Sequence, residues 1–344
     1  MNDDLTNHES DNAVSRRMLM TGAAALALGT AMFPKPLLAD TPKKNYKFAA
    51  ALGWTTYDSG IHLKTGYIDA VKELGGDLTW TDAGFDALRQ SNQIDSFIAS
   101  KPDALFVTPA DADAIAPSIK RAIDAGIPVF CADSQVPGAL VKTTVMANNF
   151  GMGQYTCEFI CKALNGKGKI ARVMLPQNES WDQRTLGMEW ALRSYPGIEV
   201  VTQWAFALAG NVSPGQAIDN ILTSHPDVQA IWCAWDGAAV AGVLSAMAAG
   251  RHDLILTGID GGAQSFNYIA AGSPLKLTLA QDFRTEAYMT VFYAHQFLAG
   301  KETPRLIIAP SFAVTQDMLK HGIPSNYDVP GVAEKLGWAP APLF

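Results

Sequence analysis

From Lys47 onward, short continuous apolar runs alternate with longer stretches whose apolar positions recur every three or four residues. The runs Lys47–Gly53, Asp77–Thr81, Ala104–Thr108, Pro128–Ala132, Thr143–Ala147, Lys169–Leu175, Glu199–Gln203, Ala230–Ala234, Leu254–Gly258 and Leu275–Ala280 read as strands. Between them, Ile61–Leu74, Ala112–Ala125, Ala217–Ser224, Ala238–Ala249 and Glu286–Leu298 carry a helical period; Ile115, Ile119, Ala122 and Ile123 share one face. Unbroken apolar strands alternating with helices predict an α/β fold with parallel sheets covered on both faces. About ten strands exceed one comfortable sheet, so the pattern predicts two doubly wound lobes, with a break near Asn148-Asn149-Phe150-Gly151. The last 35 or so residues are richer in proline, lose the rhythm and read as a terminal wrap or tail.

The pattern changes before residue 40. Arg16-Arg17 precedes an Ala/Gly/Leu-rich run ending near Phe33, then Pro34 and the small-residue site Leu37-Leu38-Ala39. An arginine pair, a short apolar segment and a terminal alanine predict a twin-arginine export signal over residues 1–39 and a periplasmic destination. The apolar run is shorter than the roughly 20 residues of a spanning helix, which argues against a membrane anchor. A chain of 344 residues, 48% hydrophobic and 17% charged, can build large cores. Its net charge of −7 argues against a nucleic-acid partner.

Cys131 and Cys233 lie in apolar strand-like runs, and Cys157 and Cys161 fall four apart on a predicted helix. Free buried thiols are expected. Gly151-Met152-Gly153 lacks the third glycine of a dinucleotide loop, Gly166-Lys167-Gly168-Lys169 is no P-loop, and the histidines form no pair at metal spacing. Neither a cofactor nor a metal is called for, and an enzyme is disfavoured.

Polar residues directly follow several strands: Asp133, Asp236, Asp260 and Gln281. Ligands of open α/β sheets bind beyond the strands' carboxyl ends, so these side chains should face one crevice. Each aspartate could instead cap the next helix. Aromatic residues join them: Trp54 and Tyr57 after the first strand, Trp181 ahead of Arg184, and Trp235 beside Asp236. Rings, carboxylates and one guanidinium describe a carbohydrate pocket, the rings covering C–H faces and the charged groups taking hydroxyls. Some of these tryptophans could equally be core at a domain interface.

Taken together, the sequence resembles the type I periplasmic binding proteins of the ribose-, xylose- and allose-binding group over roughly residues 46–305. The resemblance rests on Leu63-Lys64-Thr65-Gly66, Thr108-Pro109-Ala110-Asp111-Ala112, Ile127-Pro128-Val129 with Asp133, and Ala147-Asn148-Asn149. It continues in Arg184-x-x-Gly187-x-x-Trp190, Leu222-Thr223-Ser224-His225-Pro226-Asp227, Thr257-Gly258-Ile259-Asp260-Gly261 and Leu279-Ala280-Gln281. It implies two Rossmann-like lobes that close on a monosaccharide, joined by crossings near 147–150, 280–284 and 304–310. The lobes would be 45–148 plus 283–306 and 149–282 plus 307–318, with 319–344 as tail.

By the same likeness, Asp133, Arg184, Asp260 and Gln281 match positions that hydrogen-bond sugar hydroxyls. The chain departs elsewhere. Trp54-Thr55-Thr56-Tyr57-Asp58 replaces an Asn-rich, double-Phe segment, Asp133-Ser134 replaces Asp-Arg, and Trp235-Asp236 replaces Asn-Asp. Trp204 or Phe206 could stand in for the mid-domain aromatic. Asp58 and Ser134 therefore join the candidate contacts, and a sugar other than ribose, or a small polyol, is expected. The resemblance implies an ABC permease as partner, membrane contact only through it, and a monomer. Rival readings are the same fold on a non-sugar or autoinducer-like metabolite, a periplasmic sugar-acting enzyme, and a sugar-responsive repressor. The repressor would need a basic helix-turn-helix where the export signal lies.

Overall fold

The computed structural model describes residues 45–176, 179–207, 210, 212–320, 322 and 338–343. The expected export signal at 1–39, and most of the expected tail at 319–344, lie outside them.

The first sheet is built from β1 (Lys47–Leu52), β2 (Asp77–Asp82), β3 (Ala104–Thr108), β4 (Val129–Ala132), β5 (Thr143–Ala147) and β11 (Leu306–Ala309), in the order β11-β5-β4-β3-β1-β2. Every pairing in it is parallel. Its strands alternate between two cores. Phe48, Ala50, Leu52, Phe106, Phe130 and Ala132 enter one, and Ala49, Ala51, Leu105, Val107, Val129 and Cys131 the other. That two-residue period, with apolar side chains on both faces, is why these runs read as unbroken hydrophobic stretches. Helices α1 (Asp58–Leu74) and α9 (Phe283–Leu298) cover the first core; α2 (Ala87–Ser100) and α3 (Ala112–Asp124) cover the second.

The second sheet repeats the plan. It contains β6 (Lys167–Met174), β7 (Gly197–Ala205), β8 (Ala230–Cys233), β9 (Ile255–Asp260), β10 (Leu275–Gln281) and β12 (Ser311–Thr315), in the order β12-β10-β9-β8-β6-β7. Helices α4 (Asn149–Ala163), α5 (Glu179–Leu192), α6 (Pro214–Ser224), α7 (Asp236–Ala248) and α8 (Ala263–Ala270) cover it. Both sheets reverse strand order beside their first strand, at β1/β3 and at β6/β8, where α/β folds open their binding crevice.

The chain passes between the sheets three times: from β5 into α4, from β10 into α9, and from β11 into β12. Two passages are pinned by helix caps. Asn148 Oδ1 accepts from the Gly151 amide at 2.9 Å, and Asp282 Oδ1 from the Thr285 amide at 3.0 Å.

All ten expected strands are present, with two additions near the end. β11 pairs with β5, so the expected boundary at 306/307 falls inside a strand of the first sheet, and the chain changes sheets at Pro310. β12 runs antiparallel to β10, so the second sheet is mixed and the segment after Pro310 begins as sheet rather than as an unstructured wrap. The two follow one another with no helix between them, so the strand–helix alternation does not mark them. The four cysteines are buried and unbridged, with Cys157 and Cys161 Sγ atoms 3.9 Å apart.

Candidate functional site

Between the carboxyl ends of the two sheets lies a cavity of about 690 Å³, within the range of small-molecule sites. Among the expected residues, Trp54, Tyr57, Asp58, Asp133, Trp181, Arg184, Trp235, Asp236 and Asp260 all line it. Asp133 follows β4 in the first lobe, while Asp236 follows β8 and Asp260 ends β9 in the second, so both lobes contribute.

Arg184 is the anchor. It is 1% exposed, reaching the cavity from α5. Its Nε donates to Asn149 Oδ1 at 2.8 Å, Nη1 to the Ala234 carbonyl at 2.8 Å, and Nη2 to Asp260 Oδ1 at 2.9 Å. A guanidinium held on three sides keeps its remaining N–H groups in one orientation, which suits hydroxyl recognition. The placement depends on close helix contact. A β-carbon at Gly187 would fall 1.9 Å from the Phe150 carbonyl oxygen, so only glycine lets α5 lie against α4 here.

The carboxylates are held in costly conformations. Five described non-glycine residues have positive φ, and three of them, Phe85 (64°), Asp133 (70°) and Asp260 (115°), line the cavity. Strained backbone of this kind concentrates at ligand sites. Burial pushes the Asp133 carboxyl up to about 7, against the pull of Arg184. Burial and the neighbouring Asp260 push Asp236 up to about 7, while Ser265, Thr278 and the Gly261 amide pull it down. Asp260 is likewise raised by burial, opposed by Arg184 and Gln281.

None of the three caps a helix. Asp236 is the first residue of α7, whose N-cap is Trp235; α8 is preceded by Gly262, and Asp133 leads into no helix. Other helices carry side-chain caps: Asp86 on α2, Asp111 on α3 and Ser213 on α6. Of the helix N-termini at the cavity, those of α6 and α9 are capped by Ser213 and Asp282, whereas those of α1, α7 and α8 have no such cap from their own N-cap residue. Their amides are left for other acceptors, and Asp58 Oδ2 accepts from the Ala263 amide at 3.3 Å, across the lobes.

Aromatic rings form the walls. Trp54 stacks on Phe85 with centroids 5.2 Å apart and planes within 4°, and meets Trp181 of the other lobe at 5.8 Å. Tyr57, 60% exposed, stands edge-on to Phe85 at the rim. Opposite, Trp235 packs against Phe206 at 5.6 Å.

Two expected contacts do not reach the cavity. Ser134 is fully buried behind Asp133, its hydroxyl oxygen 3.0 Å from that of Ser180, because the positive φ at Asp133 turns the chain away. Gln281 lies on the far side of Asp260, donating Nε2 to Oδ1 at 2.8 Å, and so positions that carboxylate. Of the two mid-domain candidates, Phe206 lines the cavity and Trp204 packs behind it. Phe85 and Phe283 on the cavity wall, and Asn149 behind Arg184, are not among the expected contacts. A lone aromatic in the polar loop Asp82-Ala83-Gly84-Phe85-Asp86, just past a strand end, was the available signal for the first. The paired Asn148-Asn149 was the signal for the last.

The chain matches the family described as periplasmic binding protein domain over residues 52–302, and it belongs to that family. It is 26% identical over 275 residues to the ribose import binding protein of Bacillus subtilis, covering 80% of this chain and 88% of that protein. It is 24% identical over 313 residues to a xylitol-binding protein of Mycolicibacterium smegmatis, covering 89% and 87%. Among solved structures, an ABC sugar transporter subunit from Rhodobacter sphaeroides superposes with a TM-score of 0.75 at 26% identity, covering 79% of this chain and 98% of that one. The fold is that of the type I periplasmic binding proteins.

Proposed function

We propose that the cavity captures one monosaccharide or small polyol, and that the two lobes swing about the three crossings to enclose it. The chain is a solute-binding protein of an ABC importer, as its relatives are. The observation that carries the ligand class is the pairing of a fixed guanidinium–carboxylate network, Arg184 with Asn149 and Asp260, with aromatic walls drawn from both lobes. Hydroxyls take the charged groups, and rings cover the C–H faces.

In this reading a ligand shifts the lobes toward closure because it contacts both of them. Three contacts support closure: Trp54 against Trp181, Asp58 Oδ2 with the Ala263 amide, and the Ser180 hydroxyl donated to the Asp133 carbonyl at 3.0 Å. The closed form would be what the permease reads, and the chain would release its ligand unchanged. Export would follow the twin-arginine route, and Arg16-Arg17→Lys-Lys should leave the precursor in the cytoplasm. A thermal-shift screen of pentoses, hexoses and polyols tests the ligand class. A ligand at 100 times its Kd stabilises by about 2.7 kcal/mol, whereas a flat screen across all three groups contradicts the reading.

A further inference from the structure

The walls of the cavity carry an imbalance of charge. Among the described residues, four carboxylates line it, Asp58, Asp133, Asp236 and Asp260, against the single guanidinium of Arg184. That guanidinium is committed to Asp260, and Asp58 is engaged with the Ala263 amide. Asp236 accepts from the Thr278 hydroxyl at 2.7 Å, a neutral partner that leaves its charge in place. Asp133 is 1% exposed and its Oδ2 meets no hydrogen-bond donor. The next side chain, Ser134, brings no cation. Behind them, the buried Glu286 and Asp282 add acidic groups, not basic ones.

Resting on the sugar or polyol reading above, we propose that the ligand carries a protonated amine, an amino-substituted sugar or polyol, whose ammonium answers the carboxylate excess at Asp133 and Asp236. A buried carboxylate without a partner is costly, and an ammonium supplies both the charge and the N–H donors. Burial raises both carboxyl pKa values, outweighing the pull of Arg184 on Asp133 and of the neutral Ser265, Thr278 and Gly261 donors on Asp236. Trp54, Trp181 and Trp235 give such a cation aromatic faces as well.

The test is titration calorimetry with matched pairs: D-glucose and D-glucosamine, D-sorbitol and 1-amino-1-deoxy-D-sorbitol, myo-inositol and its monoamino derivative. N-acetylated amines serve as controls that keep bulk but lose charge. The amine of at least one pair should bind about tenfold or more tighter than its neutral and acetylated counterparts, the margin of a charge-assisted hydrogen bond over a neutral one. That preference should fall toward unity in Asp133→Asn, Asp236→Asn or both. Tight neutral binding with no preference for any amine overturns the inference and leaves the sugar or polyol reading standing; so does a preference unchanged in both variants. No binding by any member overturns that reading and the inference with it.

Discussion

Gly153 of α4 lies directly beneath Arg184 of α5, so close that a β-carbon on it would fall 1.9 Å from the Arg184 carbonyl oxygen. With Gly187 facing Phe150, this makes a two-glycine contact that sets where the anchoring guanidinium emerges. Gly153→Ala must push the helices apart. Overpacking of this sort costs about 1–3 kcal/mol, so the melting temperature should drop by roughly 3–10 °C. Ligand affinity should fall too, because α5 carries Arg184 away from Asn149 and Asp260. Unchanged melting and binding would show that the α4–α5 contact does not position the site.

Removing the guanidinium itself should cost more in binding. Arg184→Ala leaves Asp260 in a site of low polarity without its cation and takes away the donors offered to hydroxyls. A loss of about 2 kcal/mol or more in ligand affinity is expected. Arg184→Lys should recover little, since one ammonium cannot reach Asn149, Ala234 and Asp260 together. Near-wild-type affinity for the alanine variant would place Arg184 outside recognition.

The unliganded protein should weaken as pH rises toward neutrality. Asp133 and Asp236 both have carboxyl pKa values pushed up to about 7, against an unfolded value near 4. The folded state therefore holds protons that the unfolded chain has already released. Stability from these groups is fully present below about pH 4 and is lost as pH climbs through about 7. The apo melting temperature should be several degrees higher near pH 5 than near pH 8, and Asp133→Asn should flatten that slope. A melting temperature that rises steadily from pH 5 to pH 8 would contradict it.

Trp54 bridges the stack on Phe85 and the contact with Trp181 in the other lobe. Its replacement by alanine should weaken binding by about 1–3 kcal/mol through lost wall area and lost closure contact, with Trp54→Phe intermediate. Ligand-induced change in tryptophan fluorescence should shrink in the same order. A full fluorescence change in the alanine variant would mean that closure is reported elsewhere.

Much of this was legible in the chain. Strands buried on both faces write themselves as apolar runs, and the residue after each run lands at the sheet's carboxyl edge; Asp133, Asp236 and Asp260 were found that way. What failed was direction. Ser134 follows Asp133 in sequence, but the left-handed backbone at Asp133 sends it into the interior, and nothing in a one-dimensional pattern records that φ. Gln281 ends its strand as Asp260 does, yet faces its neighbour instead of the cavity, a difference set by register between β9 and β10. Phe85 and Asn149 depend on contacts with residues 31 or more positions away, namely Trp54 and Arg184. β11 and β12 were missed because no helix separates them, so the strand–helix alternation that marked most of the other strands is absent there.

The most direct test is isothermal titration of the protein against a panel of monosaccharides, polyols and their amino derivatives. The account predicts a tight complex with one ligand per chain for at least one member, strongly weakened by Arg184→Ala. Heats indistinguishable from dilution across the whole panel, with the protein folded, would contradict it.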